Sequence, residues 1–294
     1  MTILNIGSIN RDRVFRVAHF PLPGETLVAS AVQVGLGGKG LNHSVAIHRS
    51  GGRVRHLGAI GHGDTDMRAR ISDLGISEDA IVEVEGAETG SALILVDVAG
   101  ENQIVIDPGA NRCIPSHVIE KEIGALRPSA DWIFLQNETN GLSEAITLAK
   151  AAQIRVALAA APFEADVVLP LLGDLDLLAV NAIEYAQLCA AIGGADKLPE
   201  GLRMFISHGA QGAEFRSPEI TCSAPALPVT PVDTTGAGDT AFGAFLARLD
   251  LGERPELALR FSMAAGAIQV TRSGAATAIP FEREVKRLLA TLSA

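Results

Sequence analysis

The chain has 294 residues, enough for one large α/β domain or for one such domain with a small appendage. Hydrophobic residues make up 48% and charged residues 20%, a balance that excludes a disordered chain. The net charge of −10, with no Lys/Arg cluster, excludes the basic footprint that nucleic acid requires.

Aromatics are scarce at 4%, so small and branched aliphatics must build the interior, as they do in helix-covered parallel sheets. Cys113, Cys189 and Cys222 lie far apart and form no CxxC pair. That set fits a reducing cytoplasm and argues against a disulfide framework or a thiolate zinc site. No basic leader with a long apolar stretch opens the sequence, so no signal peptide is expected. The apolar run 167–180 is broken by Pro170, Gly173, Asp174 and Asp176, so no membrane span is expected either.

In chain order, residues 12–34 hold Pro21, Pro23 and Gly24 between extended pieces. Residues 54–60 read as a strand, after which Asp64 can cap a helix with Met67, Ile71 and Leu74 on one face. Residues 90–98 and 103–106 read as a hairpin turning at Ala99-Gly100-Glu101-Asn102. Strands are expected at 132–135, 154–159, 175–180 and 204–207, with helices at 142–152 and 183–192 between them. Helices at 241–249, 255–270 and 281–292 close the chain, and Phe261 and Met263 belong to its core. The alternation predicts an α/β fold with a doubly wound, mainly parallel sheet. The segments 12–34 and 90–106 have no helix to cover them and predict a small separate β sheet.

Three polar clusters stand out. Gly35-Leu36-Gly37-Gly38-Lys39-Gly40-Leu41-Asn42 formally matches GxGxxG, which makes a dinucleotide fold a rival. Against that rival, the match follows an early β excursion, and no acid ends a second strand about 20 residues on. A Walker A loop fails because Gly40 follows Lys39 where Ser or Thr is required. Lys39 and Asn42 add donors beside a helix start, which favours a polar ligand over a plain turn.

Asp233-Thr234-Thr235-Gly236-Ala237-Gly238-Asp239-Thr240 forms an anion site with a base beside it. The glycines let N–H groups converge at a helix N-terminus, where a transferred phosphoryl group would be stabilised. Asp239 there can accept a hydroxyl proton. Taken alone, the segment is equally well a loop with Asp239 as helix cap. Asn181-Ala182-Ile183-Glu184 ends a strand where ligands of open parallel sheets bind. Its carboxylate can hold Mg²⁺ through water and its amide can meet phosphate, or the pair simply caps a helix. The seven histidines, His43, His48, His56 and His62 among them, repeat no metal-ligand spacing.

In order along the chain, these pieces resemble the ribokinase branch of the PfkB carbohydrate kinase family. The likeness is carried by Gly7-Ser8-Ile9-Asn10 with Asp12, by Pro23-Gly24-Glu25-Thr26 and by Gly37-Gly38-Lys39-Gly40-Leu41-Asn42. Thr89-Gly90, Gly109-Ala110-Asn111, Gln136-Asn137-Glu138 and Asn181-x-x-Glu184 continue it. Ser207-His208-Gly209-Ala210-Gln211-Gly212, the Asp233–Thr240 segment and Thr271-Arg272-Ser273-Gly274-Ala275 complete it.

The resemblance implies a single kinase domain over 1–294, with 12–34 and 90–106 as a lid over the sugar and a dimer clasp. It implies Asp239 as the base toward a primary hydroxyl of a small sugar attacking ATP. Gly236, Ala237 and Gly238 would supply the anion hole, and Asn10, Asp12, Gly38, Lys39, Asn42 and Glu138 would hold the sugar. Asn181, Glu184, Ser207, Gly209 and Gly212 would line the nucleotide, with Glu184 serving the Mg²⁺ shell. Asp233 and Thr235, with backbone at Gln269, Arg272 and Gly274, would hold K⁺.

Three departures accompany the likeness. Val180 replaces a proline, the 184–204 stretch is shortened with 193–199 as a bare loop, and Ala278 replaces a serine near the cation. Ribose, another sugar such as fructose, or a nucleoside are the acceptors to be separated. A non-catalytic sugar-binding regulator would be expected to lose Asp239 or the glycines, and both are present.

Overall fold

The computed structural model describes residues 1–99 and 101–292. Its first strands are β1 (Ile3–Ile6), β2 (Asn10–Arg16), β3 (Ala31–Gly37), β4 (Val54–Gly61) and β5 (Ile81–Val84). Next come β6 (Gly90–Val96), β7 (Asn102–Asp107), β8 (Trp132–Gln136) and β9 (Arg155–Ala159). The last are β10 (Leu177–Asn181), β11 (Arg203–Ser207), β12 (Ala213–Arg216) and β13 (Thr221–Ala224).

The central strands are apolar on both faces, and their period of two sorts residues into two cores. Ile133, Leu135, Leu158 and Leu178 join one core with Ile119, Ile123, Ala145 and Ile146 from the helices Ser116–Gly124 and Leu142–Ala151. Trp132, Phe134, Leu177 and Phe205 face the opposite way, onto Phe242 and Phe245 of the helix Ala237–Asp250. Phe134 meets Phe242 edge to face at 5.2 Å, and truncating such a buried ring to alanine costs about 3–5 kcal/mol.

The large sheet runs β13-β12-β11-β10-β9-β8-β1-β4-β5, parallel from β11 through β5, with the antiparallel β12–β13 hairpin at one edge. Strand order reverses between β1 and β8, and open α/β sheets bind ligands beyond the carboxyl ends of strands at such a point. The small sheet, ordered β3-β2-β6-β7, leaves the large one directly after β1.

The expected α/β organisation and both β excursions are present. The turn joining β6 and β7 closes with the Asp97 N–H donating to the Glu101 carbonyl; Gly100, placed in that turn from the sequence, lies outside the described residues. Asp64 caps the helix Thr65–Asp73 by accepting from the Met67 N–H, and Met67, Ile71 and Leu74 are buried. Phe261 and Met263 are buried as well.

Two expectations need correction. Residues 193–199 contain a short 3₁₀ turn, Ala195–Lys197, following the left-handed Gly193 that ends the helix Ala182–Ile192. The helix expected from residue 241 begins at Ala237, because Gly236 at φ 74° supplies a left-handed entry that a larger residue resists.

Candidate active site

The site assembles where two helices cross. The helix Lys39–Arg49 packs on the helix Ala237–Asp250, and Gly243 permits the approach. A Cβ at Gly243 would stand 2.7 Å from Ala46 Cβ and 2.9 Å from the His43 carbonyl oxygen. The crossing sets Asn42 against Asp239, with Asn42 Nδ2 donating to Asp239 Oδ2 at 2.8 Å.

Asp239 occupies the first helical turn, but its side chain does not cap the helix: Gly236 is the N-cap residue, with no side-chain cap bond. That disfavours the simple capping role and leaves the carboxylate turned toward Asn42 and His43 of the helix Lys39–Arg49. Its second oxygen, Oδ1, lies 3.8 Å from His43 Nε2. Burial holds the His43 imidazole below its usual pKa and so neutral, and its ring packs edge-on against Phe134.

The amides beside Asp239 sort unequally. The Ala237 N–H, expected among the anion donors, donates to the Thr234 carbonyl at 3.2 Å. The N–H groups of Gly236, Gly238 and Asp239 have no acceptor among the described residues. They stand at the positive end of a 14-residue helix.

Across from this helix, at the carboxyl ends of β1 and β8, lies a charged cluster. Lys39 Nζ pairs with Glu138 Oε1 at 3.0 Å. Glu138 Oε2 accepts from Ser8 Oγ at 2.5 Å and from the Lys39 N–H at 3.2 Å. Burial works against the Lys39 ammonium, but the carboxylates of Glu138 and Asp239 outweigh it and raise its pKa.

The carboxyl of Asp12, on β2, has no hydrogen-bond partner among the described residues. Burial first, then the charge of Glu138, push its carboxyl up to about 7, while Lys39 opposes and Asp239 adds to the shift. Gly37 on the paired strand abuts that carboxyl, so a side chain there would displace it. Asn10 is buried, its Oδ1 accepting from Asn111 Nδ2 at 2.8 Å, while Asn111 Oδ1 accepts from the Ile9 N–H. Gly38 sits at φ 92° over the Ser8 carbonyl, where a Cβ would come within 2.7 Å.

The supporting layer was not read from the sequence. Asn5, Ser44, His56 and Gln136 are all fully buried. Asn5 Nδ2 donates to the Gly40 carbonyl and to Ser44 Oγ, both at 2.7 Å, and Gln136 Nε2 donates to Asn5 Oδ1 at 2.9 Å. Ser44 Oγ bonds His56 Nδ1 at 2.8 Å. These bonds fix the turn that presents Lys39. Ser8, which holds Glu138, and His43 were also not assigned roles; a polar residue inside an otherwise apolar strand or helix was the available signal.

A third group lies at the ends of β10 and β11, where Asn181 and Ser207 are register partners. Asn181 and Glu184 form the capping box, with Asn181 Oδ1 accepting from the Ile183 and Glu184 N–H groups and Glu184 Oε2 accepting from the Asn181 N–H. This leaves Asn181 Nδ2 and Glu184 Oε1 without protein partners among the described residues. Burial raises the Glu184 pKa, and Lys39 and Asp239 both lie close enough to affect it. Gly209 and Gly212 shape the next turn at φ 56° and 108°, and His208 Nε2 lies 3.1 Å from Glu214 Oε1.

Around the expected cation position most of the groups are already engaged, the Arg272 carbonyl being the exception among the described residues. Asp233 Oδ1 accepts from the Thr235 N–H and Oδ2 from the Gly274 N–H, both at 2.9 Å. Burial disfavours the Asp233 charge, but these two donors overcome it and hold its pKa below the usual value. The Gln269 carbonyl accepts from the Arg272 N–H at 3.0 Å, and the Arg272 guanidinium bonds Glu284 at 2.5 Å.

Residues 2–282 match the family described as pfkB family carbohydrate kinase. The ribokinase of Haemophilus influenzae is 32% identical over 98% of both chains. The solved ribokinase of Thermotoga maritima superposes with a TM-score of 0.86 at 32% identity, covering 98% of this chain and 99% of that one. The Cryptococcus neoformans ribokinase, solved with ADP, gives 0.82 at 27%, covering 97% and 99%. With its two ordered signatures, its switch-point cluster and a match over almost its whole length, the chain belongs to the pfkB family of carbohydrate kinases.

Proposed function

We propose that the protein transfers the γ-phosphoryl group of ATP to the primary hydroxyl of ribose. The observation that carries this reading is Asp239: a carboxylate oriented by Asn42, beside unpaired helix N-terminal amides and facing the Asp12, Lys39 and Glu138 cluster. The relatives named ribokinase support ribose as the acceptor. A cluster with two carboxylates and an ammonium favours a hydroxyl-rich sugar over a nucleobase.

In this mechanism Asn10, Asp12, Lys39 and Glu138 hold the sugar hydroxyls, with Gly38 and Asn42 completing the pocket. The ATP phosphates lie toward Asn181 and Glu184, and Ser207, Gly209 and Gly212 flank the nucleotide. Asp239 Oδ1, which has no hydrogen-bond donor among the described residues, takes the proton of the attacking hydroxyl. The sugar oxygen forms its bond to the γ-phosphorus as the bond to the β-γ bridging oxygen breaks, and ADP leaves. Charge on the transferring group is stabilised by the N–H groups of Gly236, Gly238 and Asp239.

Glu184 Oε1 fits a water-bridged Mg²⁺, since it lacks a protein partner and burial leaves its charge undercompensated. The ion would neutralise phosphate charge when bound. K⁺, which the family likeness implied, is not part of this mechanism, because Asp233 and the Thr235, Gly274 and Gln269 carbonyls expected to hold it already accept hydrogen bonds.

The small sheet acts as a lid and as a dimer surface in this reading. Val34, Leu93 and Val105 lie in one cross-strand row and stand 46%, 43% and 67% exposed, a row that a second copy would cover. A cytoplasmic location suits the three unpaired cysteines, and among the described residues no helix is long and apolar enough to cross a membrane.

The test is ADP release with Mg²⁺ across ribose, 2-deoxyribose, fructose and nucleosides. Turnover led by ribose supports the proposal. Turnover led by another acceptor moves the specificity, and silence on every acceptor removes the catalytic reading.

A further inference from the structure

The side chain of Gln269 is fully buried at the end of the helix Pro255–Val270. Its Nε2 lies 3.0 Å from the Thr235 carbonyl oxygen, 3.1 Å from that of Gly274 and 3.3 Å from that of Ala275. Three carbonyl oxygens converging on one point beside a carboxylate, Asp233, are the ligand chemistry of a hard cation. Here a neutral amide fills that point, and its two hydrogens are shared among three acceptors. The opposite orientation of the amide would press Oε1 against the three carbonyl oxygens, so the neighbours turn the NH₂ inward. Oε1 is left buried without a hydrogen-bond partner among the described residues.

The remaining groups agree. Both Asp233 oxygens already accept N–H bonds, and the Gln269 carbonyl is taken by Arg272. Ala278 brings no hydroxyl to a ligand shell, and its carbonyl faces the Arg272 guanidinium at 3.4 Å. The Thr235 carbonyl belongs to the residue immediately before Gly236, so whatever binds it orders the entry to the helix that carries Asp239.

We propose that the Gln269 side-chain amide is a built-in replacement for a monovalent cation, tying the Thr235 loop to the 274–275 turn and making the protein indifferent to K⁺. The amide is part of the chain and needs no ion to be recruited, so its hydrogen bonds order the loop independently of the salt around the protein. The activity arm of the test rests on the kinase reading above, whereas the stability arm does not.

The experiment compares wild type and Gln269→Ala in KCl, NaCl and tetramethylammonium chloride at equal ionic strength, by melting temperature and by ADP release. Wild type is expected to melt and turn over alike in all three salts. Gln269→Ala is expected to melt lower in tetramethylammonium and to recover in K⁺, because removing the amide frees the carbonyl cage for an ion that binds only the folded state. Rubidium-soaked crystals should then give an anomalous peak at the cage in the variant and none in wild type.

A wild type whose melting temperature or rate rises in K⁺ overturns the proposal. So does a Gln269→Ala protein that matches wild type in tetramethylammonium, or one that loses stability equally in every salt. If the variant fails to fold, the wild-type comparison decides alone. A wild type that releases no ADP with any acceptor yet melts alike in all salts breaks the kinase reading and leaves the tether standing.

Discussion

Replacing Asp12 with asparagine tests the acceptor pocket through pH. Burial and the charge of Glu138 move this carboxyl from 3.8 to about 7, so near neutrality the ligand-free protein is a mixture of protonated and ionised forms. If sugar hydroxyls donate to the ionised carboxylate, the dissociation constant at about pH 6 should be about tenfold weaker than its plateau above pH 8. Titration calorimetry with ribose, without nucleotide, measures this directly. Asp12→Asn should bind weakly and lose that slope.

Stability supplies an independent check with a definite sign. The folded state holds a proton that the unfolded chain releases, so stability present below about pH 4 is lost as pH rises through about 7. Integrated over the shift, the loss is about 4 kcal/mol, and it should be seen as Asp12→Asn gaining on wild type over that window. Taking the difference matters because buried His56 works in the opposite direction. Burial depresses its pKa to about 3, so its contribution is present above about 6.5 and lost as pH falls toward 3. A ribose affinity independent of pH, or a wild-type slope that survives in Asp12→Asn, would refute the assignment.

Asp239→Asn should lower kcat by about 10²–10⁴ with ribose affinity retained, since the amide cannot take the proton; calorimetry beside ADP release separates the two. Gly243→Val should force apart the helices carrying Asn42 and Asp239, costing about 1–3 kcal/mol in denaturant melts and reducing kcat in the fraction that stays folded. Leu93→Glu on the exposed row of the small sheet should shift the mass in light scattering from dimer to monomer, and a variant that stays dimeric would place the interface elsewhere.

Legibility followed the kind of force that fixes each element. The central strands and their helices were readable because apolar period and length both report burial, as at Trp132–Gln136 and Pro255–Val270. The short strands β5, β12 and β13, of four residues each, were not read: their order depends on pairing with β4, β11 and β12 respectively rather than on any local pattern. The start of the Asp239 helix was placed four residues late because Gly236 and Gly238 read as loop, when one of them is the left-handed entry and the other lies in the first turn.

Of the site, the charged residues were legible as motifs, but their partnerships were not. Nothing in the spacing of Asn42 and Asp239, 197 residues apart, foretells their hydrogen bond. Gln269 was anticipated only for its backbone, and only the fold reveals that its side chain reaches three carbonyls.

The separation of the small sheet from the large one also divides the molecule for purposes of change. Asn10 and Asp12 ride on the small sheet, with its own packed residues Ala92 and Ile94, whereas Asn181 and Ser207 end strands of the large one and Asp239 lies on a helix packed against it. On the proposed reading, substitutions on β2 or β6 retune which acceptor is taken while Asp239, Asn181 and Ser207 keep their packing. Drift in recognition and constancy in chemistry can coexist in one chain, and an engineer seeking a new acceptor has a defined face on which to work.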